Sequence, residues 1–171
     1  HTVLFEPTID GWILPDTLDN LYLQHRENPV PLMIGSNAND GTTLSANANM
    51  TVPAYTAFLK SRFGKDAGMV LAQYPANSTA EVQLRLAQIM TDYDFSDSVK
   101  FAAGSMGDIS PDTYMYRYAY ILPGQPDGAF HGSEALLLFG VPEIQPDPAV
   151  ADNVVDLWSR FAKTGNPNGG M

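Results

Sequence analysis

At 171 residues, with 44% hydrophobic and 16% charged residues, the chain has the size and composition of one globular domain. Nineteen acidic against nine basic residues give a net charge of -10 and leave no basic patch, which argues against a nucleic-acid partner. The absence of cysteine excludes disulfides, thiolate metal sites and a cysteine nucleophile together.

The opening residues, His1-Thr-Val-Leu-Phe-Glu-Pro, lack the shape of a signal peptide and read like the interior of a longer protein. No apolar run reaches the roughly 18 residues of a membrane span. Two glycosylation-type triplets occur, Asn49-Met-Thr51 and Asn77-Ser-Thr79.

Phe5-Glu-Pro-Thr-Ile-Asp-Gly-Trp-Ile-Leu-Pro15, punctuated by Pro and Gly, suits a surface loop or edge strand. Asp16 is placed to cap a short helix carrying Leu18, Leu21 and Tyr22. The apolar run from Val30 to Ile34, bounded by Pro29, Pro31 and Gly35, predicts a buried strand. Its prolines place its start where no amide donor is needed. A loop rich in Asn and Gly follows and carries Asp40.

The middle is helical in pattern. Tyr55, Phe58, Leu59 and Phe63 form one stripe, stopped by Gly64. Ser78 or Thr79 caps a second helix with Val82, Leu84, Leu86, Ile89 and Met90 on its apolar face. Thr91-Asp-Tyr-Asp-Phe95 is expected to interrupt it before a third helix from about Ser96 to Ser105. Thr113-Tyr-Met-Tyr-Arg-Tyr-Ala-Tyr120 alternates aromatics at period two and is the clearest strand. His131 lies in the loop beyond it. Val150, Val154, Leu157, Trp158 and Phe161 make an amphipathic helix, opened by Asp147-Pro148 and closed by Gly165. Two strands bury too little to stand alone, so other strands are either hidden here or supplied by another segment.

Catalytic groups in open α/β sheets gather beyond the carboxyl ends of strands. Asp40 and His131 both occupy such positions, on the same side if the strands are parallel, with the helical middle as crossover. An acid and a histidine are two thirds of a nucleophilic relay. Taken singly, Asp40-Gly41 also fits a plain turn, and His131 a loop histidine without a task. His1 and His25 read as surface residues, and no paired-histidine spacing marks a metal site. Ala103-Gly-Ser-Met-Gly107 imitates a nucleophile elbow, but Ser105 follows a helix instead of a strand and comes in the wrong chain order. Ser133 is too near His131 in sequence to partner it. The nucleophile is therefore expected elsewhere.

Four blocks in sequence carry a resemblance. They are Phe5 to Pro15, Val30-Pro-Leu-Met-Ile-Gly-Ser-Asn-Ala-Asn-Asp-Gly41, Phe130-His-Gly-Ser-Glu134 with Phe139-Gly140, and Leu157-Trp-Ser-Arg-Phe-Ala-Lys-Thr-Gly-Asn-Pro-Asn168. Together, with Thr91 to Phe95 as a further block, they resemble the C-terminal third of a type B carboxylesterase, the family that includes cholinesterases. The resemblance implies an α/β fold in which residues 1–171 are the C-terminal segment of a single α/β-hydrolase catalytic domain. That fold, a mostly parallel sheet flanked by helices, would be incomplete without its N-terminal part.

It implies a carboxylesterase-type serine hydrolase acting on small-molecule esters, with Asp40 as triad acid, His131 as triad histidine and no cofactor. Asp40 stands where the family more often has Glu. The serine elbow and glycine-rich oxyanion loop would belong to an N-terminal segment of the same enzyme, so the chain alone is expected to be inactive. Glu134 is expected either to steady the histidine loop or to be a surface residue. The competing expectation is an inactive cholinesterase-like binding or adhesion module that keeps the fold and loses triad members.

Overall fold

The computed structural model describes residues 7–45, 49–141 and 144–169. Its centre is a pair of parallel strands, β1 (Leu32–Asn37) and β2 (Thr113–Tyr118), with Leu32 opposite Thr113 and Asn37 opposite Tyr118. β1 starts two residues later than the apolar run suggests and runs on to Asn37. The reason is donor supply. Pro31 has no N–H to give, whereas the Leu32 N–H bonds the Asp112 carbonyl at 3.0 Å and opens the ladder.

Parallel strands require a long crossover. Here it comprises α2 (Val52–Phe63), a 3-10 turn (Gly64–Asp66), α3 (Ala67–Gln73), α4 (Thr79–Ile89), a π-helical segment (Met90–Asp97) and α5 (Ser98–Ile109). α1 (Leu18–Leu23) precedes β1, while α6 (Ser133–Leu138) and α7 (Pro148–Thr164) follow β2. α3 and α6, only 7 and 6 residues long, are too short for their periodicity to stand out in the sequence.

Residues 91–95 do not interrupt the helical course. They belong to the π segment, which joins α4 to α5 without a break. Its acidic residues are held at the surface, where Tyr74 donates to the Asp92 carboxylate at 2.8 Å and Arg62 pairs with Asp94. Burial, reinforced by that carboxylate, pushes the Tyr74 phenol up to about 12.

Side-chain caps fix several helix ends. Thr51 caps α2 and Ser78 caps α4, each accepting an amide three residues on. At α1 the cap is Thr17 and not Asp16; Asp16 instead accepts from the Thr17 amide and the Asn20 side chain. The Asn20 bond foremost holds the Asp16 carboxyl below the usual carboxylate range. α7 begins with Asp147 accepting from the Ala149 amide and ends at left-handed Gly165, as its sequence predicts.

Two apolar clusters divide the interior. Tyr55, Leu59, Val82 and Ile89 join α2 to α4, and the buried Tyr55 hydroxyl donates to the Tyr74 carbonyl at 2.8 Å. The other cluster contains Tyr118, Leu122, Ala129, Leu137 and Val154, with Trp158 of α7 meeting Tyr116 edge-on at 4.9 Å. Burying a side chain of this size contributes about 1.5–3 kcal/mol. Ala129 and Leu137, on either side of His131, anchor the histidine loop to this second cluster.

Candidate active site

The parallel pairing continues past the strands. The Ala38 N–H bonds the Tyr118 carbonyl at 2.8 Å, and the Asn39 N–H bonds the Ala129 carbonyl at 3.1 Å. The Asn39 side-chain oxygen accepts from the Ala129 amide at 3.1 Å. Gly128 makes that approach possible. A Cβ there would lie 2.3 Å from Oδ1 of Asn39, and its φ of +72° belongs to the left-handed region. The two loops beyond the strand ends are thereby laced together one residue before Asp40 and two before His131.

At the end of this lacing, Nδ1 of His131 lies 2.9 Å from Oδ1 of Asp40, across 91 positions of sequence. The Asp40 side chain is only 3% exposed, and its other oxygen accepts the Asn37 amide at 2.6 Å. An ionised carboxylate only accepts hydrogen bonds, so the contact assigns the proton to Nδ1. The imidazole side chain is 49% exposed, and among the described residues nothing occupies Nε2. One nitrogen is fixed by a buried acid and the other is left free. That arrangement suits a base that takes a proton from an approaching hydroxyl.

Asn37 ties both loops to β1. Its side-chain amide donates to the Phe130 carbonyl at 2.8 Å and to the Glu134 carboxylate, while its backbone amide serves Asp40. Glu134 therefore steadies the histidine loop through Asn37. Burial foremost, with the Glu134 and Asp40 charges next, raises the pKa of the nearby Tyr116. Phe95 packs against the imidazole with ring centroids 4.9 Å apart. Sequence reasoning missed Asn37 as a positioning group; the available signal was a polar side chain at the end of a buried strand.

The other named residues do not join this pair. Ser105 is on α5, where its hydroxyl bonds the Tyr22 carbonyl at 2.6 Å and Oε1 of Glu27 at 2.8 Å, with Nδ1 of His25 at 3.3 Å. Ser133 is fully buried, and its hydroxyl has no partner among the described residues. His1 lies outside the described residues. No group of three or more His, Cys, Asp or Glu among the described residues has the arrangement of a metal site. No described helix is long and apolar enough to cross a membrane.

Over residues 1–171 the sequence matches the carboxylesterase family. The chain belongs to that family. It is 28% identical over 135 residues to fumonisin B1 esterase of Sphingopyxis macrogoltabida, covering 78% of this chain and 25% of that protein. With carboxylesterase 1C of Rattus norvegicus it shares 26% identity over 190 residues, covering 94% of this chain and 34% of the other. Among solved structures it superposes on a PNB esterase with a TM-score of 0.77 at 25% identity, over 95% of this chain and 35% of that one.

The chain thus spans a quarter to about a third of the length of these relatives. Its architecture is that of an α/β-hydrolase, of which these strands and helices are a part. The chain carries a hydrogen-bonded acid and histidine, Asp40 and His131, and among the described residues the hydroxyls of Ser105 and Ser133 bond to neither.

Proposed function

We propose that the chain provides the acid, Asp40, and the base, His131, of a serine carboxylic-ester hydrolase. The nucleophilic serine and oxyanion donors would come from an N-terminal segment of the same enzyme. Residues 1–171 are then the C-terminal segment of a single catalytic domain. The observation that carries this reading is the buried Asp40 carboxylate 2.9 Å from Nδ1 of a half-exposed imidazole whose Nε2 has no partner among the described residues. Family membership supports ester hydrolysis as the chemistry.

Two features support a companion segment. Both edges of the two-stranded sheet lack a strand partner among the described residues, and such a pair is marginal alone. Asp10 accepts the amides of Trp12, Ile13 and Leu14 in one turn, holding Trp12 and Ile13 outward at 87% and 83% exposure. Two large apolar side chains held out together suit a surface that another segment covers.

In the mechanism, Asp40 fixes the tautomer of His131 and stabilises the imidazolium as Nε2 takes the serine proton. The serine oxygen attacks the ester carbonyl, and His131 then delivers the proton to the departing alkoxide. A water activated by the same nitrogen releases the acid. Asp40→Asn in the complete enzyme should lower turnover by on the order of 10⁴ through the wrong tautomer. A loss below about tenfold overturns the assignment. Fluorophosphonate labelling with mass analysis should find label outside residues 1–171 and none on Ser105; label on Ser105 overturns the division of labour.

A further inference from the structure

The π segment meets the candidate site at three points. Thr91 is only 6% exposed, and its hydroxyl accepts the Gly41 amide at 2.9 Å and donates to the Ala87 carbonyl of α4 at 2.9 Å. Phe95 covers the imidazole of His131. The Ser96 hydroxyl lies 3.4 Å from that of Ser36 on β1.

A π-helix closes on i→i+5 hydrogen bonds, so Thr91, Phe95 and Ser96 share one face. In an α-helix, positions 91 and 96 would stand about 140° apart, and Ser96 would turn away from β1. The wider turn thus has a geometric consequence at this site: one helical face reaches the acid loop, the base and the strand together.

Gly41 shows how closely the acid loop is seated. A Cβ there would lie 2.1 Å from the Ala87 carbonyl oxygen, so the backbone beside Asp40 rests directly on the end of α4. Thr91 is the polar contact in that seat. Without its hydroxyl the Gly41 amide would lose its acceptor at a buried position, and the residue bearing the acid would be free to shift.

The imidazole has a complementary weakness. It is half exposed and, among the described residues, held by one hydrogen bond, about which the ring can swing. Phe95 limits that swing by contact with the ring.

We propose that Thr91 and Phe95 are positioning residues for the acid–histidine pair, Thr91 by seating the Asp40 loop on the end of α4 and Phe95 by restraining the His131 ring. The inference rests on the proposed roles of Asp40 and His131. Neither residue exchanges a proton with substrate. Their effect is on how often the pair is aligned.

The test uses the complete enzyme with a p-nitrophenyl ester and selectively ¹⁵N-labelled histidine. Thr91→Val should lower kcat about tenfold with KM within about twofold, because misplacing a catalytic group affects turnover more than binding. Thr91→Ser, which keeps the hydroxyl, should restore kcat to within about twofold. Phe95→Leu should lower kcat about tenfold and broaden the Nδ1–H resonance of His131 by faster exchange with water.

Parental kcat and an unchanged Nδ1–H resonance in Thr91→Val and Phe95→Leu would overturn the proposal. So would equal losses in Thr91→Ser and Thr91→Val, which would reduce Thr91 to packing. If Thr91→Val does not fold, Thr91→Ser and Phe95→Leu still decide. Asp40→Asn is measured alongside: full activity there removes the underlying functional reading, whereas a large loss there with parental Thr91 and Phe95 variants rejects the positioning role alone.

Discussion

Among the described residues there are two constellations of an acid and a histidine, and their wiring is opposite. At Asp40 and His131 the buried carboxylate bonds the imidazole, and the second ring nitrogen is left without a partner among the described residues. At Glu27, His25 and Ser105 the carboxylate bonds the serine, whose single hydroxyl hydrogen faces two oxygen acceptors, the Tyr22 carbonyl and Oε1 of Glu27. Among the described residues no acid bonds His25 closely; Nε2 lies 4.0 Å from Asp108, whose side chain is 73% exposed. The second group holds the chain around residues 22–27 against α5. Residue type alone does not separate the proposed relay from this clasp; the order of the hydrogen bonds does.

The largest expected contrast comes from deleting each histidine in the complete enzyme. His131→Ala should lower turnover by on the order of 10⁴ or more, since no other described group can take the serine proton. His25→Ala should leave turnover within about twofold, by the same reasoning. Equal losses in the two variants, measured as kcat with a chromogenic ester, would erase the distinction.

Next comes Asn37, the residue that joins the two halves of the first constellation. Asn37→Ala removes the donors to the Phe130 carbonyl and the Glu134 carboxylate at a position only 2% exposed. Stability should fall by about 1.5–3 kcal/mol, the range for a hydrogen bond to a charged group, with turnover about tenfold lower. Urea unfolding and steady-state kinetics on the same preparation read both. A stable variant with parental kcat would mean that Phe130 and Glu134 hold the histidine loop without Asn37.

The parts legible in sequence were those that repeat or punctuate. Aromatic alternation marks β2, and the proline and glycine boundaries mark β1 to within a few residues. The α7 caps can be read directly from Asp147-Pro148 and Gly165. The α/β-hydrolase architecture was legible as a family pattern because four separate motifs appear in order, and the family match covers them all.

The π segment was illegible because its polar run, Thr91-Asp-Tyr-Asp, looks like a loop. Its side chains are instead held by tertiary partners, among them Tyr74, Arg62 and Gly41. The parallel setting of β1 and β2 was a condition of the site argument, and the register meets it. Asn37 and Thr91 escaped notice for a shared reason. Each acts through a contact at least 50 positions away in sequence, which no local pattern encodes.

Ser105→Ala tests the clasp with a smaller effect. It leaves Glu27, whose Oε2 is already without a partner among the described residues, lacking its donor at Oε1 as well. A loss of about 1–3 kcal/mol in unfolding free energy should follow, with kcat unchanged. A fall in kcat beyond the fall in folded fraction would give Ser105 a place in the chemistry.

The smallest effect belongs to Tyr118, the last residue of β2. Its side chain is buried, and neither its hydroxyl nor that of neighbouring Ser133 has a well-formed partner among the described residues. Burial pushes the phenol up to about 12 from an ordinary 10.0, an effect that the Ser133 hydroxyl partly offsets. Because the neutral form is the one the fold accommodates, this raised value contributes stability that is fully present below pH 10.0 and is lost as pH rises through about 12. Tyr118→Phe removes a hydroxyl that has no good partner, so stability at neutral pH should change by less than about 1 kcal/mol in either direction. The same variant should lose less stability between pH 10.0 and about 12 than the parent, as read by melting temperature across that range. Identical alkaline losses in the two proteins would place the titrating group elsewhere. A neutral-pH loss of several kcal/mol would show that the Tyr118 hydroxyl is bonded after all, making it part of the support beneath His131.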